Sequence, residues 1–219
     1  MANNIKTSKT EVTHVAIALV ALAFAFSLAL FKKEIYAGGS FFNVFSNYSL
    51  EFFAASLITV GLAFVLHELG HKFMAERFGL WAEFRVWQIG LFFALIMAVF
   101  TLGSFIFAAP GATMIAPVRK TKNGFVLKKI KISPEAMGKI GLAGPAVNIV
   151  LAITFMLLSL ATGYKLFGIG AWVNAWLGMF NLIPFSLLDG RKVWQWSKWM
   201  WGLAMLVCVG LFVASAGAV

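Results

Sequence analysis

The chain has 219 residues, 61% of them hydrophobic and 12% charged, with a formal net charge of +10. A soluble domain carries about 25% charged residues, and recurrent runs of about 18 or more apolar residues mark transmembrane helices, so the composition excludes a soluble globular protein. In a multi-pass membrane protein the excess of Lys and Arg reads as the cytoplasmic bias that orients helices, with basic loops resting on anionic lipid, and nucleic acid is not an expected partner.

Six apolar stretches follow one another along the chain. The first, about 14–31, is longer than a signal-peptide core and runs into Lys32, Lys33 and Glu34 instead of a small-residue cleavage site, so a retained helix is expected. The second, about 51–78, contains FVLHELGHKF and ends at Gly79, a C-cap signal. The third, 87–117, begins with the helical pattern IGLFFALIMAVFTLG and continues as SFIFAAPGATMIAP, where Pro110, Gly111 and Pro117 forbid a regular helix. Extended backbone covers about 3.3 Å per residue, so a dozen such residues recross much of a bilayer, and at that depth they must be covered by protein or line a wet cavity. This stretch is therefore either a re-entrant excursion or one full crossing.

Next comes VRKTKNGFVLKKIKIS, where Asn123–Gly124 between strand-like runs predicts a small basic β-hairpin at the membrane surface. The fourth, fifth and sixth stretches are about 136–163, 166–184 and 195–218. The Trp194, Trp196, Trp199 and Trp201 cluster reads as an interfacial belt opening the last helix. The single cysteine, Cys208, precludes an intramolecular disulfide and reads as a packing residue. The expected fold is an all-α polytopic membrane protein of about six apolar segments, five or six of them transmembrane helices. A re-entrant loop and a small β-hairpin are expected on the cytoplasmic side.

His67-Glu68-Leu69-Gly70-His71 has the form H-E-x-x-H. On a helix, residues four apart share a face, so the two imidazoles converge on one metal and the adjacent carboxylate reaches the water to be activated. Ionisable side chains at the end of an apolar run at membrane depth cost roughly 2.5–3.5 kcal/mol each and are functional by default. A hydrolytic zinc takes a third protein ligand and keeps one open position. The remaining histidine, His14, is far to the N-terminal side. Glu11, Glu34 and Glu135 flank helices at expected surfaces, Glu51 lies at the wrong end of its helix, and Glu76 and Glu83 have Arg77 and Arg85 as partners. Asp189, the only aspartate, follows the helix-breaking Pro184 and is the expected third ligand, with a helix cap as its plainer alternative. Zinc, one per chain, follows from the ligand types.

A shared metal places Asp189 on the same side of the membrane as His67 and His71, which requires an even number of crossings within 87–117. Charge agrees. With the N-terminus inside, 15 of the 18 Lys and Arg residues fall on the cytoplasmic side under the re-entrant reading, and a single crossing would expel the seven-charge segment 119–139. The N-terminus and the opening of the site are thus expected to be cytoplasmic.

Three motifs in order resemble the site-2 protease family of intramembrane zinc metalloproteases: HELGH at 67–71, GLAGPAVNIVLA at 141–152 with Gly144, Pro145 and Asn148, and NLIPFSLLDG at 181–190 with Asn181, Pro184, Asp189 and Gly190. The resemblance covers roughly 52–192 and implies a single membrane-embedded protease domain, 1–219. It implies His67, His71 and Asp189 as zinc ligands, Glu68 as catalytic base, and transmembrane proteins as substrates. It also implies a membrane-inserted strand that pairs with unwound substrate, a part that 105–117 is expected to play through its IFAAPGATMI run. Asn148, Asn181 and Pro184 are candidate oxyanion or substrate contacts, with interhelical hydrogen bonding as the alternative for the two asparagines, and Ser186 with the turn around Pro184 is a candidate lining of the water path. The alternative function is a non-enzymatic metal sensor or transporter; no second H-E-x-x-H of the kind duplicated transporters carry is present.

Overall fold

A computed structural model of the protein describes residues 7–121, 124–127 and 131–218. In chain order the elements are α1 (Lys9–Tyr36), α2 (Phe41–Arg77), β1 (Trp81–Val86), α3 (Gln88–Phe100), β2 (Gly111–Ala116), β3 (Val118–Thr121), β4 (Gly124–Leu127), α4 (Pro134–Thr162), α5 (Lys165–Asn181), α6 (Asp189–Trp196) and α7 (Lys198–Ser215). The fold is mostly helical, as the apolar periodicity dictates. Four helices, α1, α2, α4 and α7, are long and apolar enough to cross a membrane; α3 and α5, with 13 and 17 residues, are shorter. α5 is the enclosed helix, burying Gly170, Val173, Asn174, Leu177 and Phe180.

The second apolar stretch extends further back than its hydropathy suggests. α2 has 37 residues and starts at Phe41, about 55 Å of helix at 1.5 Å per residue. Asn43, Ser46 and Asn47 dilute the apolar signal there, but aromatic packing carries the helix through: Phe31 meets Phe45 and Phe52, and Tyr48 stacks on Phe52.

The 87–117 stretch resolves into α3, an irregular return and β2. β2 pairs antiparallel with β1 in a register running from Val86↔Gly111 to Trp81↔Ala116, and the Trp87 N–H donates to the Pro110 carbonyl at 2.9 Å. The excursion therefore ends beside the point where it began. Its irregular backbone is covered by protein: Ile106, Ala108 and Ala109 are buried with Leu22, Phe26, Val60, Phe64 and Leu177, and the Trp176 indole N–H donates to the Ile106 carbonyl at 3.1 Å. That cover supplies what backbone outside a helix needs in an apolar setting. The basic hairpin is present as β3 paired with β4, Thr121 opposite Gly124; of its turn, Lys122 and Asn123 lie outside the described residues. Strand β1 was not anticipated, although Ala82-Glu83-Phe84-Arg85-Val86 alternates apolar and polar residues as a strand does.

Two polar assignments change. Glu11, expected at a solvated surface, is buried and paired with Lys72 Nζ at 2.6 Å. Arg85 does pair with Glu83, at 2.9 Å, whereas Arg77 lies over the Phe73 ring, 4.6 Å from its centroid.

Candidate metal centre

His67 and His71 project from the last turns of α2 with their Nε2 atoms 3.0 Å apart. Asp189, the first residue of α6, brings Oδ2 to 2.8 Å from His71 Nε2 and 3.3 Å from His67 Nε2. All three are buried, and they form the one group of three such side chains among the described residues whose ligand atoms lie within 4.8 Å of one another.

Each ligand is oriented from behind. The His67 Nδ1–H donates to Asn148 Oδ1 at 2.5 Å. The Asn148 amide donates in turn to the Ala63 carbonyl and to Asn174 Oδ1, at 3.1 and 3.0 Å. With its NH2 group committed, Asn148 offers only an acceptor to His67, so the ring proton sits on Nδ1 and Nε2 carries a lone pair. The His71 Nδ1–H donates to the Ile140 carbonyl at 2.7 Å, with the same consequence. Pro145 lies inside α4 and has no N–H for the carbonyl four residues back, which loosens this turn of the helix where it faces His71. Lys192 Nζ donates to Asp189 Oδ1 at 2.9 Å, leaving Oδ2 for the imidazoles.

Three lone-pair atoms thus face one another at 2.8–3.3 Å, an arrangement suited to holding a cation among them. A tetrahedron with metal–ligand bonds of about 2.0–2.1 Å has an edge of roughly 3.3–3.4 Å, which the His67–Asp189 pair matches and the other two pairs approach from the short side. Space is provided too. A Cβ on Gly144 would stand 2.4 Å from His71 Nε2 and 2.6 Å from His67 Nε2, so only glycine keeps that side clear. A Cβ on Gly190 would stand 1.9 Å from the Leu182 carbonyl oxygen, and glycine there lets α6 begin against the end of α5. The donor set fits zinc, with one side open to a cleft.

That cleft is lined by the candidate ligands and Glu68, by Gly111, Ala112 and Thr113 of β2, by Trp87, Phe107 and Ala109 of the 87–110 excursion, and by Asn181 and the turn at 185–188. The Thr113 hydroxyl donates to the Glu68 carboxylate. Asn181 lines the cleft, with one amide hydrogen given to the Leu177 carbonyl at 2.9 Å. Asn148 does not line it: the residue is fully buried behind His67. Pro184 is exposed and also outside the lining; it stands in the turn that ends α5. Thr113, Asn174 and Lys192 were not singled out from the sequence. Asn174 had a signal, a polar side chain in an apolar helix, and Lys192 had its three-residue spacing from Asp189; Thr113 had none.

The family model for peptidase family M50 matches residues 55–167. The chain is 34% identical over 208 residues to "Putative zinc metalloprotease MJ0611" of Methanocaldococcus jannaschii, 93% of each chain being covered. YwhC of Bacillus subtilis carries the same description and is 28% identical, over 68% of this chain and 71% of that protein. "Zinc metalloprotease MJ0392" of Methanocaldococcus jannaschii is 27% identical over 65% of this chain and 34% of its own length. No solved structure matches.

Proposed function

The chain belongs to peptidase family M50, a family of membrane-embedded zinc metalloproteases, and from that premise we propose that it hydrolyses peptide bonds within or next to the transmembrane helices of membrane-protein substrates. The observation that carries this reading is a single cleft holding the His67, His71 and Asp189 cluster, the Glu68 carboxylate and the strand β2. His67, His71 and Asp189 hold the metal. Zinc held there supplies the Lewis acidity that polarises a carbonyl and acidifies a water.

Glu68 takes the proton of the attacking water and returns it to the departing amine nitrogen. The Thr113 hydroxyl holds that carboxylate facing the cleft. Asn181 retains one amide hydrogen for the developing oxyanion. A substrate helix has to unwind before its backbone is accessible, and the released N–H and C=O groups pair with β2 by strand addition. Asn148 orients His67 and makes no contact with substrate. Non-helical substrate held between β2 and the turn at 185–188 passes directly over the ligands.

The return of 87–110 to its starting point supports an even number of crossings before α4. Together with the Lys and Arg distribution, this favours a cytoplasmic N-terminus, a cytoplasmic basic hairpin and a site that opens to the cytoplasm.

The test is cleavage of a single-span membrane substrate by the purified protein, with zinc content measured alongside. Glu68→Gln is expected to keep zinc and lose cleavage, and Asp189→Ala to lose both. An Asp189→Ala protein that retains zinc and activity refutes the ligand set. A Glu68→Gln protein that cleaves normally refutes the assignment of the base.

A further inference from the structure

We infer that the N-terminal helix positions the substrate: Glu11 and His14 of α1 occupy the outer edge of β1, hold the sheet in place and leave β2 as the edge that takes the substrate strand. The inference rests on the proposed role of β2 and adds the residues that make that edge the selected one.

In an antiparallel pair, backbone groups point alternately toward and away from the partner strand. The Trp87 N–H bonds the Pro110 carbonyl across the ladder. By alternation the Phe84 and Val86 N–H groups point away from β2. Both are taken by α1: Phe84 N–H donates to Glu11 Oε1 at 3.2 Å, and Val86 N–H donates to His14 Nδ1 at 3.3 Å. The other Glu11 oxygen accepts from Lys72 Nζ at 2.6 Å, and both of these side chains are buried. Lys72 is the neighbour of the ligand His71, so the same carboxylate ties β1 to the turn of α2 that carries the metal site. The Ser8 hydroxyl adds a further contact to the Glu83 carboxylate.

Local helix capping does not account for this placement. Ser8 and Glu11 have the spacing of a capping box, and the Ser8 hydroxyl does accept the Glu11 N–H at 3.0 Å. A capping box would turn the glutamate back to the start of its own helix, whereas here it crosses to Phe84 and Lys72. A two-stranded sheet is marginal alone, and a bare edge pairs with any extended chain. The opposite edge, formed by alternate groups of Gly111, Thr113 and Ile115, has no backbone hydrogen bond outside the sheet among the described residues, and it borders the cleft. Two N–H groups of one edge are taken by acceptors from α1, and the other edge lies open beside Glu68. α1 lies outside the 55–167 span matched by the family model.

The test uses the full-length protein and a single-span substrate. His14→Ala removes an acceptor from β1. It is expected to raise KM about threefold to tenfold, the scale of one hydrogen bond, with kcat and bound zinc unchanged. His14→Asn places an amide oxygen where Nδ1 stood and is expected to restore KM. Glu11→Ala is expected to act in the same direction; where burial of Lys72 prevents its folding, the His14 pair decides. Unchanged KM in His14→Ala, or a joint loss of kcat and zinc that His14→Asn does not rescue, overturns the inference.

A second measurement separates this from the reading on which it rests. Met114 is half-exposed on β2, and Met114→Cys is expected to cross-link under mild oxidation to a cysteine placed beside the scissile bond of the substrate. No cross-link overturns the β2 edge itself, and the role of α1 with it. A cross-link together with a normal KM in His14→Ala overturns only the role of α1.

Discussion

Asn148 had two readings in the sequence, oxyanion or substrate contact and interhelical hydrogen bonding, and its hydrogen bonds favour the second. An asparagine in a G-P-x-x-N segment near a hydrolytic metal is a natural candidate for an oxyanion donor. Its amide hydrogens are instead spent on Ala63 and Asn174, and its oxygen on His67. Removing a group that orients a metal-bound histidine typically costs 10–100-fold in metal affinity. Asn148→Ala is therefore expected to lower zinc affinity by about that factor, read by competition with a chelator, and to lower activity only in proportion to the zinc lost. Asn148→Asp keeps the acceptor and is expected to lose less affinity. Full zinc affinity in Asn148→Ala would remove the orienting role. Gly144 makes a related case, because a methyl group there meets both Nε2 atoms. Gly144→Ala is expected to lose zinc without loss of helix content by circular dichroism. An alanine protein with wild-type zinc content would show that the imidazoles have room to shift.

At the scale of elements, β2 separates two kinds of backbone damage. Alternation puts the Ile115 N–H on the open edge and the Met114 N–H on the ladder with Glu83. Proline removes one N–H and is tolerated on a strand only where that N–H is not in the ladder. Ile115→Pro is expected to raise KM for a membrane substrate and to leave zinc binding and folding intact. Met114→Pro is expected to weaken the sheet and lower thermal stability. Equal KM effects with equal loss of stability would mean that the open edge plays no part in binding. The sequence announced β2 only indirectly, through Pro110, Gly111 and Pro117, which rule out a helix. β1 carried the alternation Ala82-Glu83-Phe84-Arg85-Val86 but is only six residues long, and its partners α1 and β2 are distant in sequence. HELGH and LLDG were readable as candidates because metal-ligand chemistry fixes residue type and spacing, and the structure brings His67, His71 and Asp189 together. Lys72, Glu11 and Thr113 were not, because pairs formed across 61 and 45 positions leave no periodic trace.

For the molecule as a whole, the question is how many times the chain crosses the bilayer before the metal ligands are complete. Four helices meet the length and composition of a span, while α3, at 13 residues, covers about 20 Å, short of a hydrocarbon core of about 30 Å. The β1–β2 register returns the chain to its starting point, as the proposed excursion with no net crossing requires. On the proposed topology the segments before and after the excursion share one face, α4 leads to the other and α5 leads back to Asp189. Single cysteines at Arg77, Lys131 and Lys165, all exposed positions, read this directly when Cys208 is replaced and a membrane-impermeant thiol reagent is applied to sealed vesicles of each orientation. Arg77→Cys and Lys131→Cys are expected to react only when the cytoplasmic face is outward, and Lys165→Cys only when the opposite face is outward. A single crossing at 87–117 would separate Arg77 from Lys131. That pattern would be incompatible with one metal shared by His67, His71 and Asp189, because α4 would then lead back to the near side and α5 would carry Asp189 to the far one.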